Sequence, residues 1–568
     1  MKKSLVAMLA FGLSACCLMG GTGCFGRVEE KTSKDPLTIN VKVYKAGFGD
    51  DFIYELKQKF EAAYADEGYK MNVLPPEYGN AGDPMIREMY RGYKSTQIDL
   101  YITSAITPQQ VSKAGQYGEV CEDLEELVFN QTAINYDGTE STDKISERIM
   151  PDLVPFLRAE DGTMYATLWA QTSAGMVVNT TKLKKYGVTE LPKTTNELFE
   201  VFDMIRYGAN GLAGSVDIVN NEGKITTRGT KTYPVTYCLS TGYQNCAIST
   251  WLAQYDVKAY NEFLRMQELQ DDGSWKDMEN GAQVFENENL LEVLKVGYQF
   301  MDNKYAALGS ATNKLDQSQG LIMQNKSGVN NAVFMLNGDW FLNEVKANYG
   351  KNLDDIAFIN VPVISALGTK LFGANTKYNL GDDECDELLS YIIGLVDSNK
   401  TVAEIIADVQ ANKSIALDEA DAQAVATARG VCYTRGIEHV GLITKGSTKK
   451  NIAALALRMM ASDDYANTFL RTANGSSPYA ASTATSKYKF VNDAAALASN
   501  IHYRGISARV VGLRYDVLQT DYILPGVTNL ALKLTEKSAT TSYLDAATKL
   551  YNDSITEANK LWAAYKKS

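Results

Sequence analysis

From residue 37 the chain alternates apolar and polar positions through Leu37, Thr38, Ile39, Asn40, Val41, Lys42 and Val43, the period of a half-buried strand. The strand runs into AGFGDDF (46–52), after which Phe52, Leu56, Phe60 and Tyr64 recur at near four-residue spacing. This predicts an amphipathic helix that Asp50 or Asp51 caps. A second strand is expected over Tyr69–Leu74. Asp83 then supplies an N-cap with Pro84 in the first helical position, opening a helix that faces inward through Ile86, Met89, Tyr90 and Tyr93. A third strand, Ile98–Ile102, precedes a capping box of Thr107, Pro108 and Gln110 for a short helix ending near Gly115. The βαβαβα order predicts a parallel sheet with helices on both faces. Ligands of such sheets bind outside the carboxyl ends of the strands, here the loops beginning at Ala46, Pro75 and Thr103.

Further along, Thr194 to Glu197 is another capping box, starting a helix that buries Leu198, Phe202 and Ile205. Asn220 to Gly223 marks a hairpin turn between apolar alternations. Ala332 to Trp340 (AVFMLNGDW) is a buried apolar run ending in a turn, and residues 374–436, rich in Asp, Ala and Asn around Leu388–Val396, predict an inserted helical subregion. In the last helix Leu544, Ala547, Tyr551, Ile555, Ala558, Trp562 and Tyr565 share one stripe, which makes Trp562 a core residue.

Two glycines two apart between a strand and a helix begin the dinucleotide-binding fingerprint. The third glycine is replaced by Phe52, and Asp50 and Asp51 set negative charge against a phosphate. A tight turn before a capped helix explains both glycines as well, so a binding role for the loop rests on its place at the strand ends. The segment from Gly441 to Thr448 imitates a P-loop but has Ser447 where lysine is essential. The acidic run from Asp382 to Glu387 lacks the spacing and glycine of a calcium loop and reads as a solvated helix start.

The 568 residues exceed what one core usually supports, so two lobes are expected. A formal charge of −12 argues against nucleic acid and against an electrostatic grip on anionic lipid. Beyond the first 24 residues the cysteines are Cys121, Cys238, Cys246, Cys385 and Cys432, an odd set without C-x-x-C spacing. Cys238 and Cys246 could close a loop, but buried free thiols are expected. With only His439 and His502, a histidine-rich metal site is excluded and a catalytic triad has few ways to form. No cofactor and no metal are expected.

The chain begins Met1, Lys2, Lys3, Ser4, continues LVAMLAFGLSACCLMGG and reaches Cys24 after small residues: a positive n-region, a short apolar core and a cleavage point. A cysteine there makes the segment resemble a bacterial lipoprotein signal, in which the cysteine is acylated. Leu13 to Cys16 fits the usual lipobox better, whereas Cys24 gives an apolar core of ordinary length but has Gly21 where leucine is usual. Cys24 is the expected site, with Cys16 the alternative. Residues 1–23 are then the signal peptide and 24–36 a polar tether, and the mature protein sits on the outer face of the bacterial cell membrane. No later stretch approaches the roughly 20 apolar residues of a membrane span, leaving lipid as the anchor.

Several segments together carry a family resemblance. GFGDDFIYELKQKFEAAY (47–64) resembles the opening unit of family 1 extracellular solute-binding proteins, the ABC-transporter receptors that include maltose-binding protein. QIDLYITSAITPQQVSKAGQYGEVCEDLEEL (97–127) resembles its next segment. DGTMYATLWAQTSAGMVVNTTKLKKYGVTELPKTTNEL (161–198) is similar to the crossover between lobes, keeping Asn179 but with Leu168 and Thr195 in place of the usual proline and tryptophan. NAVFMLNGDWFLNEV (331–345) is like the family's "A-M-x-x-x-G-x-W", and KGSTKKNIAALALRMMASDDYANTFLRTANGSSPY (445–479) resembles the return segment.

The resemblance implies a two-lobed α/β fold of the type II periplasmic-binding-protein class, with a hinge and ligand between the lobes. It implies an N-terminal lobe of 37–168 with 440–480 and a C-terminal lobe of 169–439 with 481–568. It also implies delivery of a carbohydrate, an oligosaccharide by the size of the second lobe, to membrane permease subunits, with no catalysis. A monomer is expected.

A sugar needs fixed donors and acceptors for its hydroxyls and aromatic rings for its C–H faces. Trp340 matches the family's stacking tryptophan, with Asp339 beside it to accept paired hydroxyls and Trp169 at the crossover. Phe48, Asp50 and Asp51 join through the opening loop, and Tyr78, Ser104, Tyr243, Trp251 and Tyr479 complete the candidate set, each open to a surface or core role. Competing readings are a lipid-anchored glycoside hydrolase working through two carboxylates and a receptor for a peptide or another small solute.

Overall fold

The computed structural model describes residues 31–565 except 46, 79–84, 86–87, 90–96, 105, 107, 114–117, 151–152, 155–156, 160, 240–242, 266, 327, 351–352, 435–438, 480–483, 500–502, 505–533, 536–537 and 539. The signal segment with Cys16 and Cys24, and the expected helix positions Ile86, Tyr90, Tyr93 and Thr107, lie outside the described residues.

Two mixed sheets organise the chain. In the first the order is Lys70–Val73, Thr38–Lys45, Leu100–Ser104, His439–Ile443, Thr167–Leu168. The first three strands run parallel. His439–Ile443, where the chain re-enters this sheet, runs antiparallel to both its neighbours, Leu100–Ser104 and Thr167–Leu168. Thr38–Lys45 is buried along its first six residues, as expected of a strand paired on both sides. The helix Asp51–Ala63 covers it with Phe52, Ile53, Leu56 and Phe60.

The second sheet runs Thr232–Thr236, Asn331–Gly338, Ser173–Asn179, Val431–Thr434, Tyr503–Arg504, with Ile356–Ile359 also pairing Ser173–Asn179. Asn331–Gly338 is buried at every position, which its uninterrupted apolar run anticipates. Asn179 ends its strand and caps the next helix, accepting from Lys182 N at 3.0 Å and donating to Ile322 O at 3.0 Å.

Each sheet has its own apolar core. One gathers side chains from 39–170 and 440–479, among them Phe52, Leu100, Ile102, Leu442 and Leu457. The other gathers those from 176–431 with Phe490, Val491, Ala547, Ala558 and Trp562. Trp340 packs against both.

Some local expectations meet a different structure and others hold. Asp50 occupies the N-cap position without a side-chain cap bond, because its carboxylate turns to Lys45 at 2.6 Å. The helical subregion consists of Asp382–Asp397, Val402–Lys413 and Glu419–Gly430, after which Val431–Thr434 returns to the sheet. On the last helix Leu544 is 51% exposed, whereas Ala547, one turn on, is fully buried. Thr194 does cap its helix, accepting from Glu197 N at 3.2 Å. Cys121, Cys238, Cys246, Cys385 and Cys432 are buried free thiols. Among the described residues no helix is long and apolar enough to cross a membrane.

Candidate functional site

The loop after the first strand ends at the boundary between the two cores. Phe48 is 6% exposed and sits among four rings: Trp169 at 6.1 Å, Trp340 at 6.4 Å, His439 at 5.8 Å and Phe469 at 5.3 Å between centroids. Three belong to the first sheet or its core, and Trp340 follows a strand of the second sheet. The contacts with both tryptophans are edge-to-face, the geometry aromatic quadrupoles favour.

Trp340 follows the Asn331–Gly338 strand at the start of the helix Phe341–Tyr349. Its indole N–H donates to the Tyr243 hydroxyl at 3.1 Å. It is flanked by glycines. A Cβ on Gly47 would stand 2.7 Å from Trp340 Cβ, and one on Gly338 would stand 2.4 Å from the indole ring. Gly47 therefore serves close approach of a tryptophan from the other lobe, which is why this loop resembles a phosphate loop without being one.

Beside Trp340 lies a set of buried polar groups. Asp339 Oδ2 accepts from Ser173 N at 3.1 Å, and Asp339 N donates to Ser173 O at 3.0 Å. Asn337 lies opposite Gly175, so alternation puts Asn337, Asp339 and Ser173 on one face of the sheet. Asp339 Oδ1, Asn337 Nδ2 and Ser173 Oγ have no hydrogen-bond partner among the described residues. Burial pushes the Asp339 carboxyl up to about 8, opposed only by the amides of Ser173, Asp339 and Trp340.

One helical turn beyond Trp340, Asn343 reaches the other lobe. Its amide donates to Ala473 O, the last residue of the helix Asp463–Ala473, and its oxygen accepts from Asn474. Asn474 ends that helix in the left-handed conformation, φ 49°.

The remaining candidates divide. Trp169, at the crossover, is locked into the core of the first sheet: it stacks on Phe52 at 5.2 Å, donates to Thr103 O at 2.8 Å, and its carbonyl accepts from Tyr465. Ser104 is buried and pairs in register with His439. Tyr479 is buried, its hydroxyl accepting from Leu168 N at 3.2 Å. Tyr78 is half-buried at the edge of the first sheet, beside Lys45. Trp251 donates to Pro362 O at 3.1 Å inside the second core and packs on Phe300, and Asp51 is exposed. The structure thus gathers Phe48, Trp169, Tyr243, Asp339 and Trp340 in one seam and leaves Trp251 and Asp51 out of it. His439, Ser173 and Asn343 were not anticipated, since no local pattern marks them. Asn337 lay inside the NGDW motif that pointed to Trp340. Among the described residues no group of three or more His, Cys, Asp or Glu could hold a metal ion.

No family model matches the sequence, and no curated protein sequence does. Similarity to solved structures is broad in extent and low in identity. The chain is similar to the bacterial solute receptor AcbH, described with an exclusive preference for β-D-galactopyranose: TM-score 0.53, 11% identity, covering 92% of this chain and 99% of that one. It is similar to a chitin oligosaccharide binding protein, with TM-score 0.51, 12% identity and coverage of 91% and 99%. An ABC transporter solute-binding protein of Thermotoga lettingae, bound with α-D-tagatose, matches with TM-score 0.51, 12% identity and coverage of 92% and 99%. Two mixed sheets, two cores and near-complete overlap with these receptors give the chain the type II periplasmic-binding-protein fold of the solute receptors.

Proposed function

We propose that the chain is an extracytoplasmic receptor that holds a carbohydrate, an oligosaccharide by preference, between its lobes and hands it to the permease of an ABC importer. The observation that carries this reading is the seam in which Phe48 of one lobe meets Trp340 of the other, itself packed on Tyr243, next to the buried polar set of Ser173, Asn337 and Asp339. Rings suit the C–H faces of a sugar, and unengaged donors and acceptors suit its hydroxyls. The galactopyranose, chitin oligosaccharide and tagatose of the similar receptors support the same ligand class. The ligand contacts in this reading are Phe48, Tyr243, Asp339 and Trp340, with Trp169 and Ser104 behind them in the first sheet and its core. The lobes are 37–168 with 440–480 and 169–439 with 481–568, and lipid on Cys24, or on Cys16, holds the protein to the membrane.

A thermal-shift screen of neutral mono- and oligosaccharides tests the ligand class. A sugar present at about one hundred times its Kd should stabilise the fold by about 2.7 kcal/mol. A panel in which peptides raise the melting temperature and no sugar does would replace this reading. Mass spectrometry of the mature N-terminus should find a diacylglyceryl Cys24 followed by Phe25. An unmodified terminus would refute the anchor.

A further inference from the structure

Trp340 and Asn343 occupy the first turn of one helix, tied by the main-chain bond from Asn343 N to Trp340 O at 3.0 Å. The first residue faces the seam; the second grips the end of a first-lobe helix, a few residues before the proposed lobe boundary. Asn343 gives its amide to the final carbonyl of Asp463–Ala473 and takes one from Asn474, so a side chain of the second lobe completes the end of a helix whose own Tyr465 and Phe469 belong to the first lobe's core. The carbonyls of a last helical turn have no partner within their own helix. Here one of them is satisfied across the lobe boundary.

Two further features place this contact at the pivot. Leu470, on the same helix, is buried in the second lobe's core rather than the first. Two residues past Asn474, Ser476 O accepts from Gln171 N at 2.8 Å, joining this crossing to the one that follows Trp169.

We infer that Asn343 is a positioning residue: by holding Ala473 and Asn474 it fixes the angle between the lobes and sets Trp340 against Phe48, so that ligand affinity depends on a side chain that does not touch ligand. The inference rests on the receptor reading for its functional consequence, but its structural part does not. Both bonds require the helix Phe341–Tyr349 to abut the end of Asp463–Ala473, so they favour this lobe arrangement over any that separates the two.

The test uses the mature chain with two variants. Asn343→Ala removes both bonds. Asn474→Gly removes one and keeps the left-handed helix end, which glycine adopts without strain, so it should fold normally. Small-angle scattering of the ligand-free protein should show a larger radius of gyration for both variants than for the parent. Titration with the sugar that gives the largest thermal shift in the parent should show binding about five-fold weaker in Asn343→Ala, with the melting temperature of the ligand-free variants little changed. A radius of gyration unchanged in both variants overturns the inference whatever the ligand proves to be. A larger radius with unchanged affinity overturns the coupling to Trp340. Absence of any sugar binding by the parent defeats the receptor reading while the scattering result still decides the role of Asn343 at the pivot.

Discussion

Trp340→Ala is expected to weaken sugar binding by about 2–4 kcal/mol, the loss typical of an aromatic anchor at the centre of a binding surface, and to lower stability by about 2–3 kcal/mol. The second figure lies below or at the foot of the 3–5 kcal/mol range for a fully buried tryptophan because Trp340 is only partly buried. Its surroundings keep it from falling further. With glycine at 47 and 338 on its flanks, no side chain there can lean into the space, and Tyr243 loses the indole N–H that its hydroxyl accepts. Calorimetry on the folded fraction separates the two effects. Trp340→Phe should restore most of the stability and part of the affinity, since the ring persists but the bond to Tyr243 does not. If Trp340→Ala binds sugar as the parent does once folded, the tryptophan is a packing residue and the seam is not the site.

The second large effect is on pH. In the unfolded chain the Asp339 carboxyl titrates near 3.8, whereas in the fold burial holds its proton until about 8. Between those values the folded protein carries the extra proton, so stability is full below the lower value and declines as pH rises through the upper one. The decline is expected to be on the order of a few kcal/mol across pH 5 to 8.5, measured by urea unfolding. Glu344, which burial pushes up to about 7, acts in the same direction, so Asp339→Asn should shrink the slope without abolishing it. The replacement keeps an oxygen for Ser173 N. A slope identical in parent and variant would mean that Asp339 is ionised in the fold and has a partner there.

The elements were largely visible in the chain because their causes are local. The alternation at 37–43, the four-residue spacing of Phe52, Leu56 and Phe60, the cap at Thr194 and the apolar run into Trp340 each depend on neighbours in sequence, and each appears in the structure. Asp50 departs because its carboxylate pairs with Lys45, at the end of the preceding strand, instead of capping the helix. The seam was legible only in part. Phe48, Trp169 and Trp340 were marked by loop position and by resemblance, but His439 enters through its register with Ser104 and Ser173 through its pairing with Asp339, and neither leaves a periodic trace. Trp251 shows the opposite limit: an isolated tryptophan reads alike whether it meets ligand or, as here, Pro362 in the core.

The glycines on either side of Trp340 tie position 47 to the distant pair 338 and 340 as a single unit of inheritance. A lineage that acquired a side chain at 47 or 338 while keeping the indole would force the ring out of its slot, whereas one that first exchanged the indole for something small would release both glycines to drift. The order of such changes is thus constrained by space alone, and the bulkiest residue of the seam is the one that must move first.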